Sequence, residues 1–172
     1  SYTASGATVT NAANSNTATL TYSATAKNEN EFTTPLSITG WTYGDTAKTP
    51  NAAAKYGTCV FTYSDTENGT YTATVPTNAG TYWVKATVAE TASYTGLESK
   101  ISFTIAPKTI GKAINLTAPV VGAAPQTSIT GDGYTAAVAW SPSVSGKFAA
   151  GTVYTATVTI TPDSNHTTTG IA

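Results

Sequence analysis

The sequence predicts an all-β chain, on three observations. Of 172 residues, 38 are threonine and 28 are alanine, while Leu, Glu, Lys, Gln, Arg and Met are scarce. Threonine is β-branched and suits a pleated, half-buried surface; the scarce residues are the good helix formers. Polar and apolar residues alternate with period two along several stretches, and no segment sustains a 3.6-residue period. Turn chemistry separates these stretches at Gly40, Gly44-Asp45, Asn68-Gly69, Pro76 to Gly80, Gly96, Gly131-Asp132-Gly133 and Pro162-Asp163.

The strands follow in order. Ala7–Asn11, with Val9, and Thr17–Ala26, with Ala18, Leu20, Tyr22 and Ala24, form an apparent pair within residues 1–27. Leu36–Thr42 and Cys59–Tyr63 come next. In Thr70–Val75, Tyr71, Ala73 and Val75 share one face and the threonines the other. In Thr81–Ala89, Tyr82, Val84, Ala86 and Val88 alternate with Thr81, Trp83, Lys85 and Thr87, and Lys100–Ile105 alternates through Ile101, Phe103 and Ile105. Ala113–Thr117, Gln126–Thr130, Ala136–Trp140 and Val153–Thr161 complete the series; Tyr154, Ala156, Val158 and Ile160 alternate in the last.

Two of these strands look related. Asn78-Ala79-Gly80-Thr81-Tyr82-Trp83-Val84 leads into one, and Ala150-Gly151-Thr152-Val153-Tyr154-Thr155-Ala156 into the other. The first resembles the strand-F signature of immunoglobulin domains, where a tyrosine hydroxyl reaches back to the backbone two residues before a core cysteine. Val84 and Ala156 stand where that cysteine would be, as suits a sandwich without a disulfide. Tyr82 and Tyr154 are therefore the expected tyrosine corners. With these as markers, residues 33–106 read as one immunoglobulin-like sandwich. Ala106-Pro107 reads as a linker, and residues 108–172 as a second, incomplete sandwich with no strand after Thr161. A sandwich lacking its last strands exposes an apolar groove and open edges. The orphan pair in residues 1–27 has nothing to bury against. The two defects cancel if residues 1–27 complete the rear sandwich.

Residues 36–106 (LSITGWTYGD, then FTYSDTENGTYTATVPTNAGTYWVKATVAETASYTG, then FTI) resemble the bacterial immunoglobulin-like repeats of very large Gram-positive surface proteins. Residues 108–172, from KTIGKAINLTAPVVGAAPQT to TPDSNHTTTGIA, resemble a second repeat type of such proteins, which continues into something like SGATVTNAANSNTATLTYSA, the stretch at residues 5–24. The resemblance implies extracellular display in repeat arrays and no catalytic residues. Three geometries follow: residues 1–27 return within the chain to close the rear sandwich, they enter the open sandwich of a neighbouring copy by β-strand addition, or the polypeptide is a window cut from a longer array. The second builds a head-to-tail filament, because a heterologous contact that does not close propagates.

Composition excludes several function classes. The chain has 8 lysines, 9 carboxylates and no arginine, for a net charge of −1, so nucleic-acid binding has little electrostatic basis. No run of about 18 apolar residues exists to span a bilayer as a helix. Residues 1–20 lack the basic start and apolar block of a signal peptide. Cys59 is the single cysteine, which excludes an internal disulfide and a multi-cysteine zinc site. It reads as a buried free thiol, with a reactive or thioester-forming cysteine as the alternative, although PQTSIT around Gln126 does not resemble the glutamine motif of thioester domains. His166 is the sole histidine and has no partner motif for a catalytic triad. Asp65 and Glu67 offer two carboxylates where calcium needs six to eight oxygens.

Lys85, Lys100 and Lys112 are candidates for a Lys–Asn isopeptide bond, which needs a neutral, buried lysine; Lys85 lies on the face opposite Tyr82 and Val84, which is expected to face solvent, and the pattern places Lys100 and Lys112 on neither face. Trp41, Trp83 and Trp140 could stack on sugar rings. Trp83 is the candidate glycan contact because its parity turns it outward, while Trp41 and Trp140 read as core residues. Asn68, Asn115 and Asn165 match N-x-S/T but are not expected to be modified in an exported bacterial protein. The expectation is a non-catalytic structural module at the bacterial cell surface, without metal or cofactor, associating head to tail with identical copies. The alternative is a carbohydrate-binding module whose partner is a polysaccharide.

Overall fold

The computed structural model describes residues 2–11 and 18–170, with side chains from Ala26 onward. The chain is all-β, with no helix among the described residues. Its strands are β1 (Tyr2–Asn11), β2 (Ala18–Ala26), β3 (Phe32–Ser37), β4 (Trp41–Thr42), β5 (Asn51–Ala54), β6 (Cys59–Ser64), β7 (Gly80–Val88), β8 (Leu97–Ala106), β9 (Lys108–Thr109), β10 (Ser128–Gly131), β11 (Tyr134–Ser141), β12 (Thr155–Pro162) and β13 (His166–Thr167). They form separate sheets in the orders β1-β2, β3-β5, β4-β8-β7-β6, β10-β11-β12 and β13-β9.

The chain divides into two compact units. The first comprises Ser1–Thr39, Lys48–Pro76 and Tyr82–Phe103; the second comprises Gly40–Ala47, Thr77–Thr81 and Thr104–Ala172. Ala106-Pro107, the expected linker, lies inside the second. In the first unit the period-two pattern of β7 becomes burial: Val84 and Ala86 are fully buried and Val88 nearly so, while Lys85 and Thr87 between them stay partly exposed. Leu36, Tyr63 and Phe103 are buried in the same unit. Burying one valine fully stabilises by about 1.5–3 kcal/mol. In the second unit Ile110, Ile129, Tyr134, Ala136 and Val138 form the core, with Ile114, Leu116, Trp140, Ala156, Val158 and Ile160 packed against it in part.

Four expectations are corrected. Leu36–Thr42 is not one strand: β3 pairs with β5, while Trp41 and Thr42 pair parallel to Ile105 and Ala106 of β8. The change of partner falls at Gly40, where a Cβ would collide with the Thr104 carbonyl oxygen. Thr70–Val75 is not a strand either, and only Thr72 bridges, to Tyr63. Tyr71 is held instead by local contacts: its hydroxyl donates to the Glu67 carbonyl at 2.9 Å, and the Lys85 ammonium lies 4.6 Å from its ring centre. Ala113–Thr117 stays irregular, because the Thr117 N–H goes to the Gln126 side chain at 2.9 Å and the Leu116 N–H turns back to Ile114 at 3.0 Å. Finally, a strand does follow β12: the two-residue β13 pairs parallel to β9.

Gly40→Ala is expected to destabilise the protein by about 1–3 kcal/mol, since the new methyl meets rigid backbone and the β4–β8 pairing has to shift. A lower chemical-denaturation midpoint at unchanged slope checks this.

Candidate functional site

β12 is the outer strand of the sheet β10-β11-β12, and no strand of the described residues pairs along its other side. Its inner row is set against β11 by register: Ala156 opposite Trp140, Val158 opposite Val138, Ile160 opposite Ala136. Opposed positions share a face of an antiparallel pair. The β11 members Ala136 and Val138 are buried, yet Ala156, Val158 and Ile160 are only half-buried. The apolar cover of this sheet thins toward its open edge. Val153, just before β12, is 88% exposed, and Val120 and Val121 are 60% and 65% exposed.

Aromatic packing fixes where β12 starts. The Tyr154 hydroxyl accepts the Ala149 N–H at 3.1 Å, five residues upstream. Its ring meets Phe148 edge-on at 4.9 Å, and Phe148 meets Trp140 at 5.0 Å. The Trp140 indole donates to the Gln126 carbonyl at 2.8 Å. On the other side of the core, the buried Tyr134 donates its hydroxyl to the Ala113 carbonyl at 3.2 Å. Tyr82, the other expected corner, packs its ring against Phe103 at 6.0 Å.

At the front of the chain, β1 and β2 pair with each other in a two-stranded sheet. The register places Val9 opposite Leu20, Ala7 opposite Tyr22 and Ala4 opposite Ala24, and Thr8 and Thr10 opposite Thr21 and Thr19. Ala18 stands opposite Asn11. The side chains of Val9, Ala18, Leu20, Tyr22 and Ala24 lie outside the described ones. After β2 the chain is anchored in the first unit: the Asn28 N–H donates to Ser93 at 2.8 Å, and the Asn28 carbonyl accepts from Thr95 at 3.0 Å. Lys27, which no motif singles out, has a side chain only 9% exposed and holds Glu90 at 3.1 Å.

The remaining candidates are placed as follows. Trp83 is half-buried, opposite Ser64. Lys85 pairs with Glu98 at 3.5 Å, and Lys100 donates to the Glu67 carbonyl at 3.2 Å and to the Asn68 side chain at 3.1 Å, all in exposed or partly exposed surroundings. Among the described residues no buried acid stands by them to assist a crosslink, and Lys112 is exposed. Cys59 is a half-buried free thiol opposite Val88. Trp41 is buried, as expected of a core residue. Asp65 and Glu67 are exposed, and the described residues contain no group of three or more His, Cys, Asp or Glu gathered to hold a metal. His166 lies edge-on to Tyr43 at 5.4 Å, and its Nδ1 is buried without a hydrogen-bond partner. Its ring occupies the space a Cβ on Gly133 would need, and Gly133 has φ 80°, so glycine is required there twice over. The Asn165 side chain accepts the Ala79 N–H at 2.8 Å, which engages that sequon in the fold.

Comparison with protein-family models, with curated proteins and with solved structures finds no match.

Two stability predictions follow from this geometry. Tyr154→Phe removes an acceptor from the Ala149 N–H and should cost about 0.5–1.5 kcal/mol, read as a lower denaturation midpoint. Burial pushes the Tyr63 phenol above its ordinary value of 10.0, and burial followed by the charges of Glu67 and Glu98 does the same for Tyr71. A raised folded value means that the unfolded chain releases the proton first. Stability is then fully present below about pH 10 and falls as pH rises through the folded value. Tyr63→Phe should flatten that alkaline decline, as measured by denaturation midpoints across the alkaline range.

Proposed function

We propose that this chain is a non-catalytic extracellular structural module that joins copies head to tail, residues 1–27 of one copy completing the sheet of the next along β12. The carrying observation is the open edge of β12 with its half-buried row Ala156, Val158 and Ile160.

The occupant is argued from length and pattern. β12 spans eight residues, and β1 and β2 span ten and nine. Along β2, Ala18, Leu20, Tyr22 and Ala24 recur at every second position, the spacing of the row on β12. A ribbon of two strands is marginal in water on its own. An added strand would satisfy the free N–H and C=O groups of β12, each bond contributing about 0.5–1.5 kcal/mol net, and would cover the apolar row at about 25 cal/mol per Å². Strand addition of this kind takes affinity from main-chain bonds and specificity from alternate side chains. Donor and acceptor are different patches of the same chain, so the contact is heterologous and propagates into an array unless it closes on itself. The threonine-rich, charge-poor composition and the resemblance to bacterial surface repeats support display at the cell surface.

The test is assembly of the purified chain. Its scattering mass should rise with concentration, and negative stain should show uniform fibres. Deleting residues 1–27, or replacing Val9 and Leu20 with Asp, should leave particles of single-chain size. A full-length chain that stays monomeric throughout, or a deletion variant that assembles equally well, would falsify the proposal.

A further inference from the structure

The missing Thr70–Val75 strand leaves a space. Beyond the end of β6 the chain turns through Asp65–Gly69, then runs back past Tyr63, held by one bridge. There the Tyr63 N–H donates to the Thr72 carbonyl at 2.7 Å, and the Thr72 N–H to the Tyr63 carbonyl at 2.9 Å. A zippered strand would lie flat against β6. A single tether lets the segment stand away on either side, and an open cavity of about 250 Å³ is lined by the segment and β6 together. The sheet contributes Tyr63 and Tyr82 to the lining, the tethered segment Thr70, Thr72 and Thr74, and the turn Asp65. The turn that shapes the rim is tight. The Ser64 hydroxyl accepts the Thr66 N–H at 3.3 Å, and a Cβ on Gly69 would press on the Thr66 hydroxyl. All these residues belong to the first unit.

The lining selects a ligand by its chemistry. Asp65 is the only charged residue in it, so anions are repelled and no cation is available to hold a phosphate or carboxylate. Threonines at every second position present hydroxyls that both donate and accept, and the carboxylate accepts strongly. The two tyrosines add amphipathic rings, apolar on their faces and polar at the tip. A molecule that matches has apolar C–H faces, a rim of hydroxyls and no negative charge. That describes a pyranose ring. Ligand pockets for drug-sized molecules run from about 300 to 1,000 Å³, so this cavity suits one ring rather than an oligosaccharide.

We propose that this cavity binds a single uncharged pyranose ring, presented as a terminal or branch residue of a polysaccharide. The proposal does not rest on strand complementation, so assembly can fail without it. It also differs from stacking on Trp83, which is absent from the lining and, one residue after Tyr82 on β7, belongs to the opposite face of the sheet.

The experiment is ligand-observed saturation-transfer NMR on the full chain, which reads monomer and fibre alike. The probes are the methyl glycosides of glucose, galactose and mannose, and N-acetylglucosamine. Asp65 is exposed, so Asp65→Ala should keep the parent melting curve. At least one probe should receive saturation, and Asp65→Ala should weaken its binding about tenfold, the loss of one charge-assisted hydrogen bond. Trp83→Ala should leave that binding unchanged. Absence of transfer to all four probes, an Asp65→Ala variant that binds as well as the parent, or loss of binding in Trp83→Ala with Asp65→Ala unaffected would each overturn the assignment.

Discussion

A strand whose inward row is apolar and whose outward row is small or polar can bury only one of its faces, and the main strands of this chain are of that kind. β7, β11 and β12 each follow that rule: Val84, Ala86 and Val88 are buried between exposed or half-exposed partners, Tyr134, Ala136 and Val138 likewise, and Ala156, Val158 and Ile160 alternate with exposed threonines. The buried rows are made largely of alanine and valine. Small side chains remove little apolar area from water, so each contributes less than a leucine or phenylalanine would. Stability then leans more heavily on complete pairing of backbone groups, which cost free energy when left buried and unbonded. Any edge that stays open is a correspondingly large fraction of what the fold has still to gain.

The few large residues sit where small ones cannot define a geometry. Trp140, Phe148 and Tyr154 meet edge to face and hold the entry to β12, while Tyr134 and Ile110 belong to the buried core of the same unit. In the first unit, Tyr63 and Phe103 meet at 6.1 Å beside the valine row. Tyr56 and Tyr94 stack at 3.7 Å next to the Asn28 anchor that ties the chain after β2 to residues 93–95. Aromatic pairs favour particular offsets and angles, so they fix relative positions that alanine and threonine leave loose.

The two proposals draw on departures from regular pairing rather than on a cluster of reactive groups. At β12 a regular strand has a neighbour on one side only among the described residues. At residues 70–76 a neighbour is present but meets β6 at one point only. The first offers a row of main-chain donors and acceptors, which suits another strand. The second offers an open depression lined by threonines, tyrosines and one carboxylate, which suits a small polar molecule.

Alternation made the all-β class and the inward rows of β7, β8 and β12 legible in the sequence, because the two-residue period is a local property of a strand. It could not reveal which strand lies beside which. The break between β3 and β4 depends on Gly40 meeting the Thr104 carbonyl, a contact across 64 positions. The failure of Thr70–Val75 to pair depends on Glu67 and Lys85 taking hold of Tyr71. β5 was invisible because Asn-Ala-Ala-Ala has no β-branched residue, and β13 because its two residues are a strand only by virtue of lying beside Lys108 and Thr109. The sugar-sized cavity was equally hidden, since it exists only where a locally plausible strand is pulled away by its neighbours. Local periodicity determines which face of a segment seeks the interior; competition among distant backbone and side-chain partners decides where that segment lies and what it leaves uncovered.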